Sequence, residues 1–172
     1  MVKRFLLVIV GLAVGLAIAG PSRPVAIGPA ELYWLMNQAC WYGDQLSVQM
    51  LLKAGADPTG VKGYTAFHKS EYQHGYEPSW PINQAALGGH AEVIRLLLAA
   101  GAKVDAPEDE GQTALMLAAH EGHMGVVKLL LEAGADKTYR AGPGEFVGTA
   151  EEVADRAGHK QIGDFIRSFG QN

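Results

Sequence analysis

Cysteine is nearly absent from this sequence. Cys40 is the only one in 172 residues, so no intramolecular disulfide can form and a folded state rests on packing. A basic excess is missing too: 14 Lys and Arg stand against 18 Asp and Glu, a net charge of −4. Nucleic acid and anionic lipid both demand a dense basic patch, so neither is expected as the main partner. Low-complexity tracts are missing, and 48% hydrophobic with 19% charged residues is the composition of a folded domain, not a disordered one. Serine is scarce, with five residues, and none has a convincing histidine–aspartate arrangement, so no catalytic group is expected. The apolar run near the start of the sequence, Phe5 to Ala19, is fifteen residues long, Gly11 and Gly15 included. That falls short of the roughly 20 apolar residues a spanning helix needs.

That stretch has another meaning. Lys3 and Arg4 precede it, Ala17-Ile18-Ala19 ends it on small residues, and Pro21 and Pro24 follow where a helix cannot continue. This is the pattern of a secretory signal peptide over residues 1–19, cleaved after Ala19, with a linker over 20–28. Cleavage leaves 12 basic residues against 18 acidic ones, a net charge of −6. The expectation is a periplasmic or secreted protein; the alternative is an uncleaved segment anchoring the chain at the inner membrane. Membrane contact is expected only in that second case.

What the sequence has in quantity is glycine, 22 residues, and its placement is regular. Three segments align without gaps, starting at Gly43 (GDQLSVQMLLKAGAD), Gly89 (GHAEVIRLLLAAGAK) and Gly122 (GHMGVVKLLLEAGAD), and a degraded copy starts at Gly158 (GHKQIGDFIRSFG). The starts lie 46, 33 and 36 residues apart, a fixed period with insertions of thirteen and three, and such a period means stacked supersecondary units. Within one unit, Thr113 is placed to cap a helix running through Leu115, Leu117, Ala118 and Ala119. The Ala-Ala pair permits close approach of a neighbouring helix, and Gly122 is suited to end the first one. The second helix carries Val126, Val127, Leu129, Leu130 and Leu131 over more than half its circumference. So wide an apolar face needs neighbours on two sides.

These residues carry a family resemblance. Thr113 to His123 (TALMLAAHEGH) together with Leu129 to Asp136 (LLLEAGAD) resembles the ankyrin repeat. The family's Thr-Pro-Leu-His signature becomes Thr-Ala-Leu-Met here, and Trp80-Pro81-Ile82-Asn83 in the preceding copy. The resemblance covers roughly residues 30–170. It implies an all-α solenoid of about four helix-turn-helix repeats with β-turn fingers. Its repeats are expected near 29–58, 59–104, 105–137 and 138–170, with residues 62–79 as an inserted loop. The first repeat begins directly with a helix, and the last carries Lys160, Gln161, Asp164 and Arg167 on what reads as a polar outer face. The chain is also similar to small exported ankyrin proteins of bacteria. That similarity implies a non-catalytic protein-binding role, such as protecting a partner enzyme or neutralising a toxin as an immunity protein. No cofactor and no small-molecule substrate are expected.

Several motifs imitate chemistry. His120 and His123 lie three apart and straddle Gly122, whereas a zinc-protease helix needs histidines four apart on one face. Gly142-Pro143-Gly144 follows no strand and lacks one N–H donor, so it is a loop rather than a phosphate cradle. His68, Glu71 and His74 are the only candidate metal ligands by spacing, and short histidine-bearing loops are seldom sites. Cys40 occupies the second Ala position of its repeat, where a small buried residue is wanted. The stretch Pro107-Glu108-Asp109-Glu110 is an acidic finger tip, either a solvated turn or a contact for a basic partner.

By the resemblance, partners meet the finger tips and the two residues between Ala-Ala and Gly on each inner helix. Here those are Trp41 and Tyr42, Leu87 and Gly88, His120 and Glu121, and Arg156 and Ala157. Exposed aromatic rings are favoured anchors. Trp34 lies seven residues before Trp41 and shares its face; covering the open end of the stack and binding are both open to it. The inserted stretch adds Tyr64, Phe67, Tyr72, Tyr76 and Trp80, five of the fourteen aromatics in seventeen residues. The candidate partner-binding set is therefore Trp41, Tyr42, Leu87, His120, Glu121, Tyr72, Tyr76, Trp80 and Arg156.

Overall fold

The computed structural model describes residues 27–60, 79–108, 110–142, 144 and 146–170. The expected signal peptide, the loop rings Tyr72 and Tyr76, and the metal candidates His68, Glu71 and His74 lie outside the described residues. Eight helices are present among the described residues: α1 Pro29–Tyr42, α2 Gln45–Lys53, α3 Pro81–Leu87, α4 Ala91–Ala99, α5 Ala114–His120, α6 Met124–Glu132, α7 Ala150–Arg156 and α8 Lys160–Ser168. No helix among them is long and apolar enough to cross a membrane.

The helices form four pairs. Within each pair the two helices pack together, and α1, α3, α5 and α7 stack in one layer while α2, α4, α6 and α8 stack in the other. The expected all-α repeat solenoid is what forms. Inner helices α3, α5 and α7 span only two turns each, too short to persist alone. They are held by burial: Ala85, Ala86, Ala118, Ala119 and Ala154 are fully buried, as are Ile94, Leu97 and Leu130 on the outer layer. Small residues inside and branched ones outside let the layers approach without voids.

Each helix start has its own device. Pro29 and Pro81 occupy first-turn positions where a missing N–H costs nothing. Thr149 and Glu152 form a reciprocal capping box on α7. Thr113 behaves differently from the expectation: it sits at the N-cap of α5, but its side chain makes no capping hydrogen bond. Six consecutive buried residues, Ala114 to Ala119, hold that helix instead.

The outer helices reveal a ladder. His90, His123 and His159 are the N-caps of α4, α6 and α8, and none caps its own helix with its side chain. Their rings point back one repeat: His90 Nε2 lies 2.9 Å from the Trp41 carbonyl, and His123 Nε2 lies 3.1 Å from that of Leu87. The glycines beneath them are required. Gly89 has φ +75, and a Cβ there would come within 2.8 Å of the His123 ring. No helix pair precedes the first among the described residues, and its residue at the same place is Asp44. Asp44 turns its carboxylate onto its own helix, accepting from Ser47 N at 3.2 Å and Ser47 Oγ at 2.8 Å.

The fingers are turns rather than strands. Asp57 Oδ1 accepts from Thr59 N at 3.0 Å, and Asp136 Oδ1 accepts from Thr138 N at 2.8 Å, the same Asp-x-Thr turn twice. Asp105 joins neighbouring fingers by accepting from Asp136 N at 3.1 Å. In the third, Ala141 and Gly148 form an isolated antiparallel bridge. At the C-terminal end Arg167 pairs with Glu151 at 2.7 Å and Asp164 at 2.8 Å, while Lys137 Nζ donates to the Phe169 carbonyl at 2.5 Å. The N-terminal pair is different in character, holding Trp34, Trp41 and Leu46, three of the four large exposed hydrophobics among the described residues.

Candidate functional interface

The inner-helix ends form a row, one position per repeat: Trp41, Leu87, His120 and Arg156. It runs from apolar to charged along the stack. Trp41 is 43% exposed although its flanking residues Ala39 and Cys40 are fully buried. Helix geometry explains this. At about 100° per residue, Trp34 and Trp41 lie about 20° apart, while Leu35, Met36, Ala39 and Cys40 cluster on the opposite side. Those four are the buried residues of α1. Both tryptophans therefore point away from the core, with Gln38 between them.

Tyr42 does not share that position. It is about 100° round the helix from Trp41 and packs, half-buried, against the core. The two belong to different surfaces. Cys40 is fully buried, and burial pushes its thiol far above the ordinary range, so it is inert packing, not a reactive group.

Trp80 is held by the neighbouring finger. Its indole Nε1 donates to the Pro107 carbonyl at 2.6 Å, and it is half-buried against the core. Next to it, Ser79 is tied in two directions: Tyr33 Oη donates to the Ser79 carbonyl at 2.9 Å, and Ser79 Oγ donates to Glu108 Oε1 at 3.0 Å. Residues 79 and 80 thus fasten α1 to the second finger. No sequence signal marked this, because Tyr33 and Ser79 are 46 positions apart.

At the other end of the row, His120 stacks on Phe146 with ring centroids 5.0 Å apart, and its Nδ1 lies 2.9 Å from Glu121 Oε1. Arg156 donates to the Val147 carbonyl, and Arg140 pairs with Glu152 at 3.0 Å. The structure brings His120, Glu121 and Arg156 together with the third finger, whose Val147 is 45% exposed. Among the described residues no group of three or more His, Cys, Asp or Glu is placed to hold a metal ion.

A row of side chains along a stacked helical scaffold, with fingers beside it, makes one extended surface. The family model for ankyrin repeats, three copies, matches residues 35–141. The chain belongs to the ankyrin-repeat family. No curated protein sequence matches it. The matched residues run from within α1 to past the end of α6. The pair α7–α8 lies beyond the match, yet it stacks on α5 and α6 in the same way. Ankyrin repeats are in general non-catalytic protein-binding modules.

Proposed function

We propose that this ankyrin protein acts outside the cytoplasm, binding one protein partner through its inner-helix row, with Trp41 as the principal anchor. The observation that carries this is Trp41 itself. A large ring is left outward on a helix whose backbone is fixed from behind by His90. An anchor held before binding loses little conformational entropy on contact, which is how hot-spot residues gain their weight. Leu87, His120, Glu121 and Arg156 continue the contact along the stack, and Trp80 carries it onto the second finger. The export half of the proposal rests on residues 1–19 and their signal-peptide pattern. Protection of a partner enzyme and neutralisation of a toxin are both served by such a surface.

The test is affinity capture from the native organism with the wild-type protein and Trp41→Ser side by side. One partner retained by the first and lost by the second, with equal helical content, is the expected result. Partners retained equally would remove Trp41 from the interface. Mass spectrometry of the native protein addresses export: a mature chain beginning at Gly20 is expected, and an intact N-terminus would favour a membrane-tethered scaffold.

A further inference from the structure

In the first three helix pairs the basic residues of the helices lie on the outer layer alone. Inner helices α1, α3 and α5 contain no Lys or Arg, whereas the outer helices α2, α4 and α6 carry Lys53, Arg95 and Lys128. Over residues 27–60 and 79–112 of the sequence the acids are Glu31, Asp44, Asp57, Glu92, Asp105, Glu108, Asp109 and Glu110, eight against the three bases Lys53, Arg95 and Lys103. A repeat scaffold does not require this, since a solvated inner helix accepts Lys as readily as Gln.

The exposed stripe of α1 belongs to this acidic half. Glu31, Trp34, Gln38 and Trp41 follow one another at spacings of three, four and three, within an arc of about 80° and a length of about 15 Å. Glu31, Trp34 and Trp41 are exposed. A chain of hydrogen bonds links the residue beside Trp34 to the acidic finger. Tyr33, beside Trp34, bonds Ser79, and Ser79 bonds Glu108, with Glu110 exposed two residues on. Aromatic faces and carboxylates both attract cations, the first through the ring quadrupole and the second by charge.

We propose that the inner face of the first two repeats receives a Lys- or Arg-rich segment of the partner protein, its cations packed on Trp34 and Trp41 and paired with Glu31, Glu108 and Glu110. This rests on the protein-binding function above and specifies the chemistry of the partner. An acidic or uncharged segment is repelled or unrewarded there, and a second copy of the chain offers no basic segment of that density in its 172 residues.

The experiment titrates the full mature protein with a Lys/Arg-rich peptide and an equal-length Ser/Gln peptide, read by calorimetry at low and high salt. Expected are binding of the basic peptide only, weakening with salt, and a loss of about tenfold or more for Trp41→Ser and for the pair Glu108→Gln with Glu110→Gln. The outer-face pair Glu92→Gln with Glu132→Gln removes the same charge elsewhere and should leave binding unchanged. Equal loss from the outer-face pair would show a non-specific charge effect and overturn the proposal, as would equal binding of both peptides. Should capture of the native partner depend on Trp41 yet ignore Glu108→Gln with Glu110→Gln, the interface stands and its basic specificity fails. Insensitivity of both peptide and partner to Trp41→Ser ends both.

Discussion

The His90 ring nitrogen Nε2 and the Trp41 carbonyl oxygen meet at 2.9 Å across 49 positions of sequence. This bond joins the second outer helix to the end of the first inner one, and it fixes the backbone from which the Trp41 ring projects. His90→Ala removes the bond and leaves a gap against Gly43 and Gly88, both of which pack on the ring. A loss of about 1–3 kcal/mol in urea denaturation is expected. An unchanged midpoint would mean the ladder contributes nothing to stacking.

Trp41 and Tyr42 are expected to separate in experiment. Trp41→Ser exchanges an outward ring for a polar side chain, so its melting curve should stay near wild type while partner affinity falls by at least about 2 kcal/mol. Tyr42→Ser uncovers the core surface under the ring and should lower the midpoint instead. Matching melting losses for the two would place Trp41 in the core after all.

The sequence disclosed the scaffold well and the interface unevenly. The starting Gly, the Leu run and the closing Gly-Ala are local patterns that recur from one repeat to the next, so helix pairs and their order were legible. The outward placement of Trp41 followed from its register beside Ala39 and Cys40. Its neighbour Tyr42 did not, because a half-buried tyrosine at an open end obeys no period. Thr113 looked like a cap and is not one, since residues packed on all sides hold α5 without it. The tether from Tyr33 through Ser79 to Glu108 joins three distant stretches, and no local pattern encodes such a contact.

Burial of the outer leucines is what joins the repeats. Leu97 and Leu130 are fully buried between stacked helices, and truncation leaves a cavity the neighbours cannot refill. Leu97→Ala and Leu130→Ala should each cost about 2–5 kcal/mol by chemical denaturation. Losses below about 1 kcal/mol for both would contradict the packing described.

Asp105 gives stability a pH dependence of unusual sign. Its carboxyl is held above the ordinary value, chiefly by burial, with repulsion from Asp136 adding and the Asp136 N–H bond opposing. As pH falls through that raised value, the folded state takes up a proton the unfolded state does not yet bind, so folding is favoured. Asp136 runs the other way: hydrogen bonds from Thr138 hold it below the ordinary value, and its contribution is lost only as pH falls below that. Asp105→Asn should therefore raise the melting midpoint at neutral pH, with the advantage shrinking toward pH values just above the ordinary carboxylate range, about 4. An advantage that grows on acidification would reverse the assignment.

The inserted stretch between the first two helix pairs supplies the last test. The pairs on either side stack directly, α1 on α3 and α2 on α4, so the stack does not need thirteen extra residues, and closing a longer loop costs little. Its rings Tyr72 and Tyr76 are then candidates for the partner, since exposed aromatic side chains without a use promote aggregation. Shortening the stretch to the length of the other fingers must keep Ser79 and Trp80, because their bonds to Tyr33 and Pro107 fasten the first pair to the second finger. A shortened protein retaining both should be folded and helical yet bind its partner more weakly. A version that also loses Ser79 and Trp80 should melt at lower temperature, which separates the structural part of the insertion from the part offered outward. Full binding by the first version would leave Trp41 and the row behind it as the whole interface.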